Sequence, residues 1–274
     1  MTVFRDFAFF SDTHLSDRSA GDDFSPREEV FNLSLDYLVT EKIRNVKLGG
    51  DIFDLLETDS DKIKKAHSET LDRLFRVFTI DYIFGNHDVV GKAINVIEPY
   101  LGHYGNRGLF LCGQSLGLEM PEDIAGSKIA CLYPSLLLHG HAVDPIISKN
   151  KKLAEIVAGI GGFFERHGFP QIDSWFSTLE KKIGKIGRES LPSYDNAICE
   201  LAIKKNYNSV FNGHSHNPVK AVKTKPDGNN LYDFNPGSWV SSEKGREPRM
   251  IIVRRDGVQE LIAGNKLEIS EVKL

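Results

Sequence analysis

The first third of the chain alternates short apolar runs with amphipathic stretches, and each run stops at polar residues. Residues 4–11 contain Phe7, Ala8, Phe9 and Phe10 in succession, which predicts a strand buried on both faces. It ends at Ser11-Asp12-Thr13-His14. Ser25-Pro26 then reads as an N-cap with proline at the first helical position, and Val30, Leu33, Leu35, Leu38 and Ile43 continue a helical stripe. Residues 46–48 predict a second strand, stopping at Gly49-Gly50-Asp51. A helix over about 62–77 leads to a third strand at 79–84, which ends at Gly85-Asn86-His87-Asp88. Strand, helix, strand, helix, strand is the pattern of parallel βαβ units.

The middle is less regular. Residues 94–100 predict a short helix and 109–112 a strand, and the apolar run 128–138, despite Pro134, ends at His139-Gly140-His141. Residues 144–190 change character: they are helical in period, rich in Ile156, Ile160, Phe163, Phe164, Phe169, Trp175 and Phe176, and broken by glycines and Pro170. They read as a helical cap inserted into the main fold, the alternative being helices packed on the sheet as core. A helix over 194–205 feeds a strand at 209–211 and the loop Asn212-Gly213-His214-Ser215-His216. Two hairpins follow, 219–224 with 231–234 around Pro226-Asp227-Gly228, and 250–254 with 258–262 around Asp256-Gly257, the second a strong turn signal. The expectation is one α/β domain over 1–274 with an antiparallel end and a cap at 144–190.

Composition narrows this only slightly. A chain of 274 residues with 41% hydrophobic content can bury one large core. Its formal net charge of -4 gives no reason to expect a nucleic-acid partner. Cys112, Cys131 and Cys199 are isolated and odd in number, so buried thiols in a reducing compartment are expected. The residues after Met1 lack the order of a signal peptide. No apolar run reaches the roughly 18 residues that span a bilayer, so a soluble, cytoplasmic protein is the expectation.

The candidate chemistry lies at the ends of the apolar runs. In order they carry Asp12, His14, Asp51, Asn86, His87, His139, His141, His214 and His216, and so hold six of the nine histidines. Carboxylate oxygen mixed with imidazole nitrogen, without thiolate, suits Mn, Fe, Zn or Co rather than a structural zinc. Asp51, behind two glycines at a strand's carboxyl end, is placed to bridge two ions about 4 Å apart, the spacing of two-metal hydrolytic sites. A hydroxide shared by such ions, facing phosphorus in line with the leaving group, would complete a phosphate-ester hydrolase.

These motifs resemble the calcineurin-like metallophosphoesterases. That family's D-x-H, G-D-x-x-D, G-N-H-[DE], strand-end H and G-H-x-H appear in order as Asp12-Thr13-His14, Gly50-Asp51-Ile52-Phe53-Asp54, Gly85-Asn86-His87-Asp88, His139 and Gly213-His214-Ser215-His216. The resemblance implies an α/β/β/α sandwich of two mixed sheets with helices outside. It also implies two divalent ions, manganese foremost, with Fe, Zn, Co or Mg as alternatives. Asp12, His14 and His216 would hold one ion, Asn86, His139 and His214 the other, with Asp51 shared. His87 would act on the transition state or leaving group, with Asp54 holding its tautomer, although Asp54 also fits a helix N-cap. His139 directly follows the apolar run and is preferred over His141 as the fourth-motif donor.

Substrate expectations come from departures. Leu55 and Phe84 stand where Ser/Thr protein phosphatases carry arginine, which argues against that branch. Asn235-Pro236-Gly237-Ser238-Trp239 resembles the N-x-G-[SD]-W segment of UDP-2,3-diacylglucosamine hydrolases, but His87 and His141 replace that group's Arg and Asp. A small phosphate-ester or pyrophosphate substrate, a UDP-sugar or lipid-linked phosphate among them, is expected, with the cap offering peripheral membrane contact. The alternatives are a nucleotide phosphodiesterase and a non-catalytic scaffold.

Overall fold

The computed structural model describes residues 3–19, 21–100, 109–141, 194–240, 247–264 and 266–274. The cap expected at 144–190 lies outside them. Strand β1 (Phe7–Phe10) is central to the first sheet. It pairs in parallel with β2 (Asn45–Leu48), which pairs in parallel with β3 (Thr79–Tyr82), as the alternating pattern predicts. Strand β4 (Leu109–Leu111) continues the parallel set, and β5 (Ser115–Leu118) opens the second sheet beside β6 (Ser135–Leu138). Strand β7 (Ser209–Phe211) follows, with β8 (Val219–Thr224) and β9 (Asn230–Asn235). Strands β10 (Arg249–Arg254), β11 (Gly257–Ala263) and β12 (Leu267–Val272) return to the first sheet. The strand orders are β12-β11-β10-β1-β2-β3-β4 and β5-β6-β7-β9-β8.

Side-chain alternation along β1 explains the layering. Ala8 and Phe10 face helices α1 (Glu28–Thr40), α2 (Ser60–Ala66), α3 (Ser68–Val77) and α4 (Val90–Ile97), joining one core with Phe31, Leu35, Leu71, Phe75 and Val96. Phe7 and Phe9 face the other way, into a core between the sheets with Leu137, Phe211, Phe234, Ile251 and Val253. The Phe211 ring sits 5.8 Å from Phe7 and 5.6 Å from Phe9. On the far side of the second sheet, Leu136, Leu138 and Val210 meet Tyr194, Ile198 and Ala202 of α5, helical over 194–204. The result is helix, sheet, sheet, helix, with two mixed sheets face to face.

Several local expectations give way to tertiary partners. Ser25 is not a side-chain cap: the Asp22 carboxylate accepts the N–H groups of Phe24 and Ser25 at 3.0 Å each, and a 3-10 turn precedes α1. The helix expected over 62–77 is two helices, broken at His67. Strands β5 and β12, not anticipated from the pattern, extend the two sheets at their edges. The two hairpins divide between the sheets, because β9 pairs in parallel with β7 whereas β10 pairs antiparallel with β1. Cys199 is buried, but Cys112 is half-buried and Cys131 is exposed on a 3-10 turn, correcting the expectation of three buried thiols. Among the described residues no helix is long and apolar enough to cross a membrane.

Candidate metal centre

The carboxyl ends of β1, β2 and β3 in one sheet and of β6 and β7 in the other open onto one place. The loops after β1 and β2 are joined by backbone bonds: Asp12 N to Gly50 O at 2.9 Å, His14 N to Asp51 O at 3.0 Å and Leu15 N to Ile52 O at 2.9 Å. Parallel pairing resumes beyond them as the bridge Leu15 to Phe53. Asp12, His14, Asp51, His214 and His216 all adopt left-handed backbone, with φ of 54°, 49°, 50°, 68° and 53°. Such conformations cost about 1–2 kcal/mol for a residue with a Cβ. Their concentration at five candidate donors marks a region where local comfort yields to side-chain placement.

Glycines admit the carboxylates. A Cβ on Gly85 would fall on Asp51 Oδ1, and one on Gly213 would lie 2.5 Å from Asp12 Oδ2. The glycines before Asp51 serve neighbouring side chains too: Gly49 accommodates the Phe9 ring and Gly50 the His139 ring. Their role is to let parts of the protein close on each other.

Among the described residues three donor groups result: Asp12 with His14 and His216, His14 with Asp51 and His87, and Asp51 with His139 and His214, the donor atoms of each lying within 4.8 Å of one another. Asp51 belongs to two groups. Its Oδ2 is 3.1 Å from His139 Nε2 and 3.8 Å from His14 Nε2, while Oδ1 accepts the His87 backbone N–H at 2.7 Å. Asn86 Oδ1 is 3.1 Å from His139 Nε2. His14 Nε2 and His216 Nε2 are 3.3 Å apart, and His216 Nε2 is 3.4 Å from Asp12 Oδ1. His139, rather than His141, lies against Asp51; the His141 ring stands 5.4 Å from that of His139.

Outer partners orient these groups. His139 Nδ1 donates to Gly49 O at 3.0 Å, which directs Nε2 at Asp51 and Asn86. His87 Nδ1 is 2.9 Å from Asp54 Oδ1. Asp88 takes the N–H groups of Phe53 and Gly85 at 3.0 Å and the Tyr82 hydroxyl at 2.8 Å, tying the second-motif loop to the third. The Tyr194 hydroxyl donates to Gly213 O at 2.8 Å and lies 3.3 Å from His139 O. Asp88 was visible as part of its motif without an assigned task; Tyr194 has no signal of its own in the sequence.

The electrostatics follow from two buried carboxylates among imidazoles. Burial alone would raise Asp51, yet the positive charge available at His139 and His87 holds it well below the usual carboxylate range. Burial is likewise overcome at Asp12 by His139 and His216, and its carboxyl is lowered. Burial would lower His139, but Asp51 and Asp12 raise it to about 9. His14 goes the other way, held to about 4 by burial and by the neighbouring His87, and stays neutral. Among the described residues the basic groups within 4 Å of Asp12 and Asp51 are all imidazoles, and His14 among them is neutral. Carboxylate oxygen, amide oxygen and imidazole nitrogen brought together without thiolate fit divalent metal ions.

No protein-family model matches the chain, and no curated protein matches it by sequence. Solved structures similar to it include the phosphoesterase YfcE from E. coli, at 13% identity over 98% of this chain and 100% of that one, with a TM-score of 0.47. A dimetal phosphatase from Danio rerio matches at 11% identity over 97% of this chain and 98% of that one, with a TM-score of 0.45. A single mutant of Vps29 from Entamoeba histolytica matches at 15% identity over 98% and 99%, with a TM-score of 0.45.

Proposed function

We propose that this chain is a metal-dependent phosphoesterase of the calcineurin-like type, hydrolysing a P–O bond of a small phosphate ester or pyrophosphate. One observation carries the reading: Asp51 Oδ2 lies 3.1 Å from His139 Nε2 and 3.8 Å from His14 Nε2, so a single carboxylate is shared by two O/N donor groups. Asp12, His14 and His216 would hold one ion, and Asn86, His139 and His214 the other, with Asp51 common to both. When bound, two such ions acidify water near neutral pH and neutralise charge on phosphate oxygens.

The chain's own residues supply the rest. Burial would lower His87, but the Asp51 charge and the Asp54 hydrogen bond raise it to about 9. A cation on Asp51 would cancel the first of these, leaving Asp54 to hold the ring. With Nδ1 committed to Asp54, Nε2 is the nitrogen left for substrate, and the side chain keeps 23% of its surface exposed. His87 then holds a proton at Nε2 and delivers it to the oxygen leaving phosphorus. Gly85 and Gly213 allow the closeness this requires.

The test compares chelator-stripped protein with protein given Mn²⁺, Zn²⁺ or Mg²⁺, using p-nitrophenyl phosphate, bis(p-nitrophenyl) phosphate and UDP-sugars. Turnover restored by one of the ions is expected, Mn²⁺ foremost. His87→Ala should slow it by about 10²–10⁴-fold, the range of general acid–base catalysis, with metal content unchanged. Full rate in that variant would reject the role given to His87. Metal binding without turnover on any substrate would leave a non-catalytic scaffold, and no metal binding would reject the reading entirely.

A further inference from the structure

The segment 235–239 touches two of the donor-bearing loops from outside. Asn235 Oδ1 accepts the Gly237 N–H at 2.8 Å, which fixes the amide's orientation. Its Nδ2 then faces Asn212 Oδ1 at 2.9 Å, Ser215 Oγ at 3.0 Å and Gly213 O at 3.1 Å. All three acceptors lie in or beside the loop that carries His214 and His216. Asn212 is held in turn, its Nδ2 donating to Asp233 Oδ1 at 2.8 Å. Four residues beyond Asn235, Trp239 N donates to Asp12 O at 3.0 Å, at the end of β1. The Trp239 ring is fully buried, 4.8 Å from the Phe31 ring and 6.5 Å from that of Phe10. Between these anchors Gly237 turns the chain at φ +80°, where a Cβ would come within 3.2 Å of Pro218.

Asp12 and His216 come from opposite sheets, yet their donor atoms are 3.4 Å apart. The strap spans that same junction. We propose that the segment 235–239 sets the spacing between Asp12 and the His214–His216 loop, with Asn235 as a positioning residue for the donors of both ions. This rests on the metal-site reading above. Asn235 sees no substrate in this role; its amide keeps a left-handed loop from relaxing, so its loss is felt as weakened metal binding.

The test uses the full chain in four forms: wild type, Asn235→Asp, Ser215→Ala and Ile129→Ala. Asn235→Asp keeps the acceptor for the Gly237 N–H and removes the donors. Ser215→Ala removes one acceptor of that amide and is the gentler change should the first fail to fold. Ile129→Ala destabilises the core between the sheets, in a cluster that does not include Trp239. Mn²⁺ affinity and stoichiometry are measured by titration calorimetry and electron paramagnetic resonance, beside the metal-free thermal midpoint. Asn235→Asp should weaken Mn²⁺ binding by about 10–100-fold, as loss of an outer partner does, and Ser215→Ala in the same direction by less, since the amide keeps its other two acceptors. Ile129→Ala should bind Mn²⁺ as wild type does despite a lower midpoint. Wild-type affinity in Asn235→Asp, or in Ser215→Ala if only that variant folds, would overturn the strap. An equal loss of affinity in Ile129→Ala would also overturn it, since general softening would then be the cause. If wild type itself binds no Mn²⁺, the metal-site reading fails and the strap falls with it.

Discussion

At the scale of single residues, Asp51 combines three burdens. It is buried, it has left-handed backbone at φ 50°, and its two oxygens serve different neighbours. Asn at this position would keep the shape and the bond from His87 N but remove the charge that opposes two cations. If the proposed two-ion site holds, Asp51→Asn should lower Mn²⁺ stoichiometry from two to one or fewer and slow hydrolysis by at least about 10²–10³-fold, the usual loss when one preorganised electrostatic group is removed. Calorimetric titration beside a rate assay checks both, and unchanged stoichiometry would deny the shared role. Residue types at strand ends made these candidates legible in the sequence, because each followed an apolar run, and the fold brings them together. Tyr194 was not legible: it is an ordinary position on α5, and only the fold brings its hydroxyl to the carbonyls of His139 and Gly213.

At the scale of elements, the break between α2 and α3 shows where local pattern stops deciding. Residues 62–77 carry no glycine or proline, so propensity gives no reason for an interruption. The reason is tertiary. His67 is buried with its Nδ1 2.9 Å from Glu28 Oε1 and its Nε2 3.2 Å from Asp22 Oδ2. Burial would lower its pKa, but these two bonds raise it. Asp22 and Glu28, which burial would raise, are lowered chiefly by their bonds to His67. The histidine's contribution is complete below its ordinary 6.5 and fades as pH rises through its raised value. The carboxylates contribute above their ordinary 3.8 and 4.5 and fade as pH falls through their lowered values. The cluster thus stabilises most between about pH 4.5 and 6.5. His67→Gln should cost about 3 kcal/mol within that window, as loss of one partner of a buried ionic cluster does, and less as pH rises above it. Denaturant midpoints of wild type and variant across pH measure the difference; a gap that does not change with pH would show the cluster to be neutral.

At the scale of the whole molecule, each late hairpin was legible but its sheet was not. Turn chemistry at Pro226-Asp227-Gly228 and Asp256-Gly257 closes both hairpins by local means. Which partner each then takes depends on contacts such as Phe9 with Ile251 and Phe211 with Phe234, far apart in the chain. Beyond the apolar core, one ionic cluster spans the two sheets. Glu260 of β11 is 1% exposed and accepts from Lys220 Nζ of β8 at 2.5 Å and from Arg249 of β10 at 3.1 Å. Truncating it would leave two cations facing each other across the sheet junction. Each cation keeps a quarter to about a third of its side chain in water, so the penalty belongs below the range for fully buried pairs. Glu260→Ala should cost about 2 kcal/mol, read as a shifted denaturant midpoint with the slope unchanged. Lys220→Leu combined with Glu260→Leu removes the unpaired charges on both sheets except Arg249, which can reach solvent, and should recover most of that loss. If the double variant is as unstable as Glu260→Ala alone, the cluster holds the sheets together by charge; if it recovers, apolar contact between the sheets is sufficient and the charges only fix their register.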